Sequence, residues 1–148
     1  MKLQTNTRLA LYSVLEFAAR PLEHVPAAEV AAKHGESAHH LAKVLSELAR
    51  AGIVESVRGV GGGYRFIANP KRLTLLDVIR LFETIGADTP AGDERSGAVG
   101  QALEQVLGEI DQVALATFGS ITLATMLQMV RRAEAAQPLA PAASPVVN

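Results

Sequence analysis

Between Ser37 and Ala51 the apolar residues Leu41, Val44, Leu45 and Leu48 fall at i, i+3, i+4 and i+7. His39, Ala42, Lys43, Ser46, Glu47 and Arg50 take the opposite side. This spacing predicts an amphipathic helix over Ala38–Ala51, capped by Ser37 and stopped by Gly52. Upstream, Leu11, Val14, Leu15 and Ala18 recur at helical spacing and predict a first helix that starts at Thr5 or Thr7 and ends before Pro21. Pro26 suits the first turn of a short second helix, Ala27–His34, because its missing N–H costs nothing there. Gly35 then permits a sharp turn into the third helix.

The period changes after Gly52. Ile53–Val57 and Tyr64–Ile67 read as two short strands joined by Arg58–Gly63, a connection holding four glycines. Asn69-Pro70 marks a turn, and Thr74 caps a fourth helix over Leu75–Glu83. Thr84–Gly97, rich in Gly, Asp and Pro, breaks the pattern. A long helix follows over Ala98–Phe118, with Leu103, Val106, Leu107, Ile110, Val113, Ala114 and Thr117 in one apolar stripe. Gly119-Ser120 interrupts it, a last short helix covers Thr122–Arg132, and the Pro- and Ala-rich end of the chain reads as disordered. The expected fold is therefore mostly α with a small β-hairpin. A winged helix-turn-helix domain occupies 1–83, a loop 84–97, a dimerisation helix with a short terminal helix 98–132, and a disordered tail 133–148.

Charge sharpens this division. The formal net charge is -1, yet residues 1–84 carry 11 Lys and Arg against 8 Asp and Glu, and the remainder carries 3 against 7. From Lys43 to Arg72 the only acids are Glu47 and Glu55. A locally basic face on a neutral chain suits phosphate contact, and it equally describes an ordinary solvated face. The chain has no cysteine, which excludes disulfides, thiolate metal sites and thiol redox sensing. No apolar run reaches the ~18 residues of a membrane span, and no signal peptide opens the chain, so a cytoplasmic protein is expected.

A helix that follows a tight turn, with a polar outer face, fits a DNA major groove with its first turns toward the base edges. Ser37, His39, His40 and Lys43 occupy those positions. Arg58 stands at the base of the hairpin, where a narrow minor groove attracts arginine. Gly61, Gly62 and Gly63 would let the wing backbone approach the duplex, and Arg65 would contact phosphate. Double-stranded DNA is thus the expected partner. The stripe Leu103, Val106, Leu107, Ile110, Val113 and Ala114 would bury itself against the same helix of a second subunit, or by folding back on its own domain.

Other chemistries fit less well. The glycine cluster lacks the Gly-Lys-Ser/Thr of a phosphate loop, and Tyr64 falls where a dinucleotide fingerprint needs glycine. His39 and His40 point about 100° apart on a helix, and a His34/His39 site has no acidic or thiolate partner at a telling spacing. No nucleophile, base and orienting group stand in a recognisable arrangement, so no enzyme, metal or cofactor is expected.

The chain resembles the Rrf-two (Rrf2) family of winged helix-turn-helix regulators. The resemblance rests on Met1–Thr5 with Leu9-Ala10-Leu11, Ala28–Ala31, Leu41–Leu45, Ala51–Val54, Ser56–Gly59, Gly62–Arg65, Thr74–Ile79 and Ile121–Ala124. It implies a homodimeric, sequence-specific DNA-binding regulator, usually a repressor, with Ser37, His39 and Arg58 at DNA-contacting positions. Ala42 stands where relatives reading one class of site carry glutamate, and His39 where serine is often found, so no operator is carried over. Many members hold an iron–sulfur cluster through cysteines of the loop that corresponds to Thr84–Gly97. Here that loop has neither cysteine nor histidine, and Arg8 stands where some relatives place a carboxylate ligand. The resemblance is to the cluster-free minority, which respond to a protein partner, a small molecule or another signal. The alternative expectation is a protein-interaction module or small-ligand sensor of the same fold that does not bind an operator directly.

Overall fold

The computed structural model describes residues 1–86 and 97–138. Its elements run α1 (Thr5–Ala19), α2 (Ala27–His34), α3 (Ala38–Arg50), β1 (Val54–Val57), β2 (Gly63–Phe66), α4 (Leu75–Ile79), α5 (Gly97–Ser120) and α6 (Leu123–Ala136). Most of the expected loop 84–97, and the tail beyond residue 138, lie outside the described residues.

Helix α1 runs through the centre of the amino-terminal unit, with α2, α3, α4, α6 and β2 packed around it. Its buried side is therefore wider than one stripe. Leu9, Ala10, Val14, Phe17 and Ala18 are all buried, while the anticipated Leu11 and Leu15 only flank the core. Thr5 and Thr7 do not cap this helix. Gln4 is the N-cap, its N–H facing the Glu83 carboxylate at 3.4 Å, and Thr7 is fully buried. Ser13 is buried as well, and its hydroxyl is satisfied by donating to the Leu9 carbonyl at 2.7 Å.

The turn from α2 to α3 forms as the sequence dictates. Gly35 takes a left-handed conformation (φ 68), and the Glu36 N–H donates back to the Ala31 carbonyl at 2.9 Å. The Ser37 hydroxyl accepts the His40 N–H at 3.1 Å and starts α3. Leu41, Val44, Leu45 and Leu48 are the four buried residues of α3, the ones its periodicity singles out.

β1 and β2 pair antiparallel in the register Val54↔Phe66, Glu55↔Arg65, Ser56↔Tyr64 and Val57↔Gly63. Against expectation the ladder gains Gly63 at its closed end and loses Ile53 and Ile67 at its open end, where the Ile53 carbonyl accepts from both Ile67 and Ala68. A further pairing was not expected. Val25 and Tyr64 exchange two backbone hydrogen bonds of 2.9 Å, which tie the α1–α2 connection to the hairpin. Pro26 explains it, since a residue before proline is held extended.

Thr74 and Asp77 form a reciprocal capping box at the start of α4. This helix stops at Ile79, short of the expected Glu83, because the Leu81 and Phe82 N–H groups turn to carbonyls three residues back. Helix α5, by contrast, continues through Gly119-Ser120. The Ser120 hydroxyl donates to the Thr117 carbonyl at 2.8 Å, and a Cβ on Gly119 would sit 3.4 Å from Leu76. Helix α6 begins at a Thr122 cap and extends past Arg132 into the expected tail, through Ala133–Ala136, residues of mostly high helix propensity. Between α5 and α6 the chain returns to the core. The Leu123 N–H donates to Leu73 at 2.8 Å, the Leu75 N–H donates to Ile121 at 3.0 Å, and the Leu123 side chain is fully buried.

Candidate nucleic-acid interface

The burial of one face of α3 leaves the other free. His39, Ala42, Lys43, Ser46, Glu47 and Arg50 line a shallow groove along its outer side. Ser37, His39 and Lys43 are exposed, and Lys43 makes no ion pair among the described residues. Ser37, His39 and Lys43 therefore stand together, near the positive end of the helix dipole. Farther along, Arg50 pairs with Glu47 at 2.9 Å, so this stretch is close to neutral.

His40 is placed differently from Ser37 and His39. Its Nδ1 lies 3.1 Å from Glu36 Oε2 and its Nε2 lies 2.6 Å from Asn6 Oδ1. Both ring nitrogens are engaged within the protein, so the side chain fastens the first turn of α3 to α1. Helical position alone does not reveal this, because the partner Asn6 is 34 residues away.

The wing glycines divide into two groups. Gly59 and Gly61 have φ of 99 and 75 and shape an exposed tip that carries Arg58 and Val60. Gly62 and Gly63 serve the fold. A Cβ on Gly62 would fall 2.3 Å from the Val57 carbonyl oxygen, and one on Gly63 would fall 2.5 Å from that of Val25. Arg58 is exposed and makes no ion pair among the described residues. Arg65 is different: it is paired across the ladder with Glu55, its register partner, and its Nε is buried. Arg58, expected at the base of the hairpin, thus stands with Gly61 at the tip because β1 ends at Val57, while Gly62, Gly63 and Arg65 lie in the body of the hairpin.

No residue of α5 is buried. Leu103, Val106, Leu107, Ile110 and Val113 are exposed, Val113 to 67%, and Ala114 is half-buried. They form a row of apolar side chains along a 24-residue helix. Two guanidiniums elsewhere have pKa values raised above the ordinary: that of Arg20 by its 2.6 Å bond to Glu29, and that of Arg8 by Tyr12.

A short helix, a glycine turn, a second helix with an open polar face and a β-hairpin beside it define a winged helix-turn-helix, a DNA-reading class. A profile for Rrf2, described as an iron-dependent transcriptional regulator, matches residues 3–129. The chain belongs to the Rrf2 family of transcriptional regulators. It is 47% identical over 130 residues to the HTH-type transcriptional regulator BadM of Rhodopseudomonas palustris, covering 88% of this chain and 83% of BadM. Among solved structures, CymR, the global cysteine regulator of B. subtilis, superposes with a TM-score of 0.69 at 27% identity, covering 87% of this chain and 98% of CymR. IscR of T. potens does so with 0.68 at 28% identity, covering 93% and 94%. The protein is a DNA-binding regulator.

The family description implies iron, and the residues present do not fit it. The chain offers no thiolate, and among the described residues no three His, Asp or Glu side chains converge to hold a metal ion.

Proposed function

We propose that the protein is a homodimeric, sequence-specific transcriptional repressor that works without an iron–sulfur cluster. The observation that carries the DNA-reading part is the open outer face of α3, bounded by Ser37, His39 and Lys43, with Arg58 exposed at the wing beside it. In this reading α3 enters the major groove, Ser37 and His39 meet base edges or phosphates, and Lys43 meets phosphate or guanine. Arg58 reaches the minor groove. His40, Gly62, Gly63 and Arg65 hold these groups in place, and Gly61 shapes the tip.

The apolar row on α5 supports pairing with the same row of a second subunit, which presents two reading heads to two half-sites. Absence of cysteine supports a signal other than a cluster. No helix among the described residues is long and apolar enough to cross a membrane, in keeping with the cytoplasmic setting of DNA.

Selection of bound fragments from a random DNA pool tests the reading, followed by anisotropy titration of the recovered site. Recovery of a two-fold symmetric site, bound with an affinity that falls steeply with salt, is expected. Placed upstream of a reporter, that site should lower expression when the protein is present. Failure to enrich any sequence would favour a protein-interaction module instead.

A further inference from the structure

On the face of α1 near the start of α3 lies a cavity of about 120 Å³, lined by Thr5, Arg8, Leu9, Tyr12, His34 and Glu36. Its walls are arranged rather than casual. The Tyr12 and His34 rings stack at 4.9 Å with 14° between their planes. The Arg8 guanidinium donates to the Tyr12 hydroxyl at 3.2 Å and lies 5.9 Å above the tyrosine ring.

The charges around this cavity are unequally matched. Glu16 Oε1 is held by Lys33 at 2.6 Å and lies 3.3 Å from His34 Nε2 without a hydrogen bond, and Glu36 lies against His40. Of the cavity's lining cations, Arg8 has no acidic partner among the described residues. An uncompensated planar guanidinium is a fork for a carboxylate. A cavity of about 150 Å³ holds a benzene ring, so one of this size admits a molecule of about six heavy atoms.

The cavity also adjoins the fastening of α3. Glu36, in its wall, is 3.1 Å from His40 Nδ1, and Asn6, next to Thr5 in α1, holds the other ring nitrogen at 2.6 Å. An anion drawn to Arg8 places negative charge beside the Glu36 carboxylate. Repulsion then works against the Glu36–His40 contact, which steadies the first turn of α3.

We propose that this cavity is an effector site for a small aliphatic carboxylate of about six heavy atoms, held by Arg8, whose occupancy loosens α3 through Glu36 and His40 and weakens DNA binding. The second half rests on the DNA-reading role of α3; the first does not.

Two measurements on the full chain separate the halves. The first is an NMR titration with butyrate, and with butyramide as a neutral probe of the same size. Butyrate should shift the Tyr12 ring signals and saturate. Butyramide should not, and Arg8→Gln should weaken butyrate binding about tenfold, as loss of a charge-assisted contact does. Equal shifts with both probes, no shift with butyrate, or unchanged binding in folded Arg8→Gln would overturn the site. The second is DNA anisotropy on the selected fragment. Butyrate should reduce the affinity severalfold for the wild-type protein but not for Glu36→Gln. If butyrate binds yet leaves DNA affinity unchanged, the coupling is wrong while the site stands. If no DNA fragment is selected at all, the DNA-reading role itself has failed, independently of the titration.

Discussion

His40, in the first turn of α3, holds Asn6 of α1 with 2.6 Å between Nε2 and Oδ1. A residue at the mouth of the proposed DNA-reading helix is thereby turned inward as a fastening. Replacement of either partner should act alike. His40→Ala and Asn6→Ala should each cost about 1 kcal/mol of stability, the usual worth of such a bond, and both should weaken DNA binding modestly. Denaturant titration with anisotropy checks this. If His40→Ala abolished DNA binding without loss of stability while Asn6→Ala left binding intact, the ring would be a DNA contact after all.

The two wing arginines should separate cleanly. Arg58→Ala should lower affinity for the selected site by about 1–3 kcal/mol, the range of a specific arginine contact, with little change in stability. Arg65→Ala removes the cross-strand partner of Glu55 and should act on the hairpin instead. Its effect on stability should be about 1 kcal/mol or less, because the pair is part-exposed. Side-by-side thermal melts and gel shifts distinguish them.

Gly63 should tolerate no side chain. Its φ of 152 lies outside the range L residues favour, and a Cβ would press on the Val25 carbonyl at 2.5 Å. Gly63→Ala should destabilise by about 1–3 kcal/mol and open the Val25–Tyr64 pairing. Faster hydrogen exchange at the Val25 and Tyr64 amides would report it. Gly61→Ala, in open space at the tip but also left-handed, should cost less, about 1 kcal/mol.

Helix α5 should be the seat of self-association. Ile110→Lys, in the middle of the exposed row, should leave the melting temperature of the winged domain nearly unchanged and shift the protein to monomer in sedimentation equilibrium. Binding to a full two-half-site DNA should then fall far more than binding to one half-site. A dimer that survived this change would place the subunit contact elsewhere.

Much of this organisation is legible in the sequence because it is local. The buried face of α3, the Ser37 cap and the Gly35 turn depend on residues a few positions apart. The less legible features join distant parts of the chain. Nothing near Arg65 tells that Glu55 neutralises it, since that requires the hairpin register. The Val25–Tyr64 bridge leaves a trace only in Pro26, and His40 is committed by a residue in another helix. The extra length of α5 was hidden by Gly119, which weakens a helix in isolation yet here lies close to Leu76 of α4.

Leu123 gives the long helix a mechanical character. The backbone bonds at Leu73, Leu75, Ile121 and Leu123 clamp the carboxyl end of α5 to the winged unit, while its apolar row extends outward over a helix of about 36 Å. Such a helix is a lever on a fixed pivot. In the proposed dimer, changes along the row would alter how tightly two copies hold each other, whereas a change at Leu123 or Thr122 would tilt the lever and alter the distance between the two wings. In that dimer the distance would be a ruler for half-site spacing, and the clamp the place where it is calibrated.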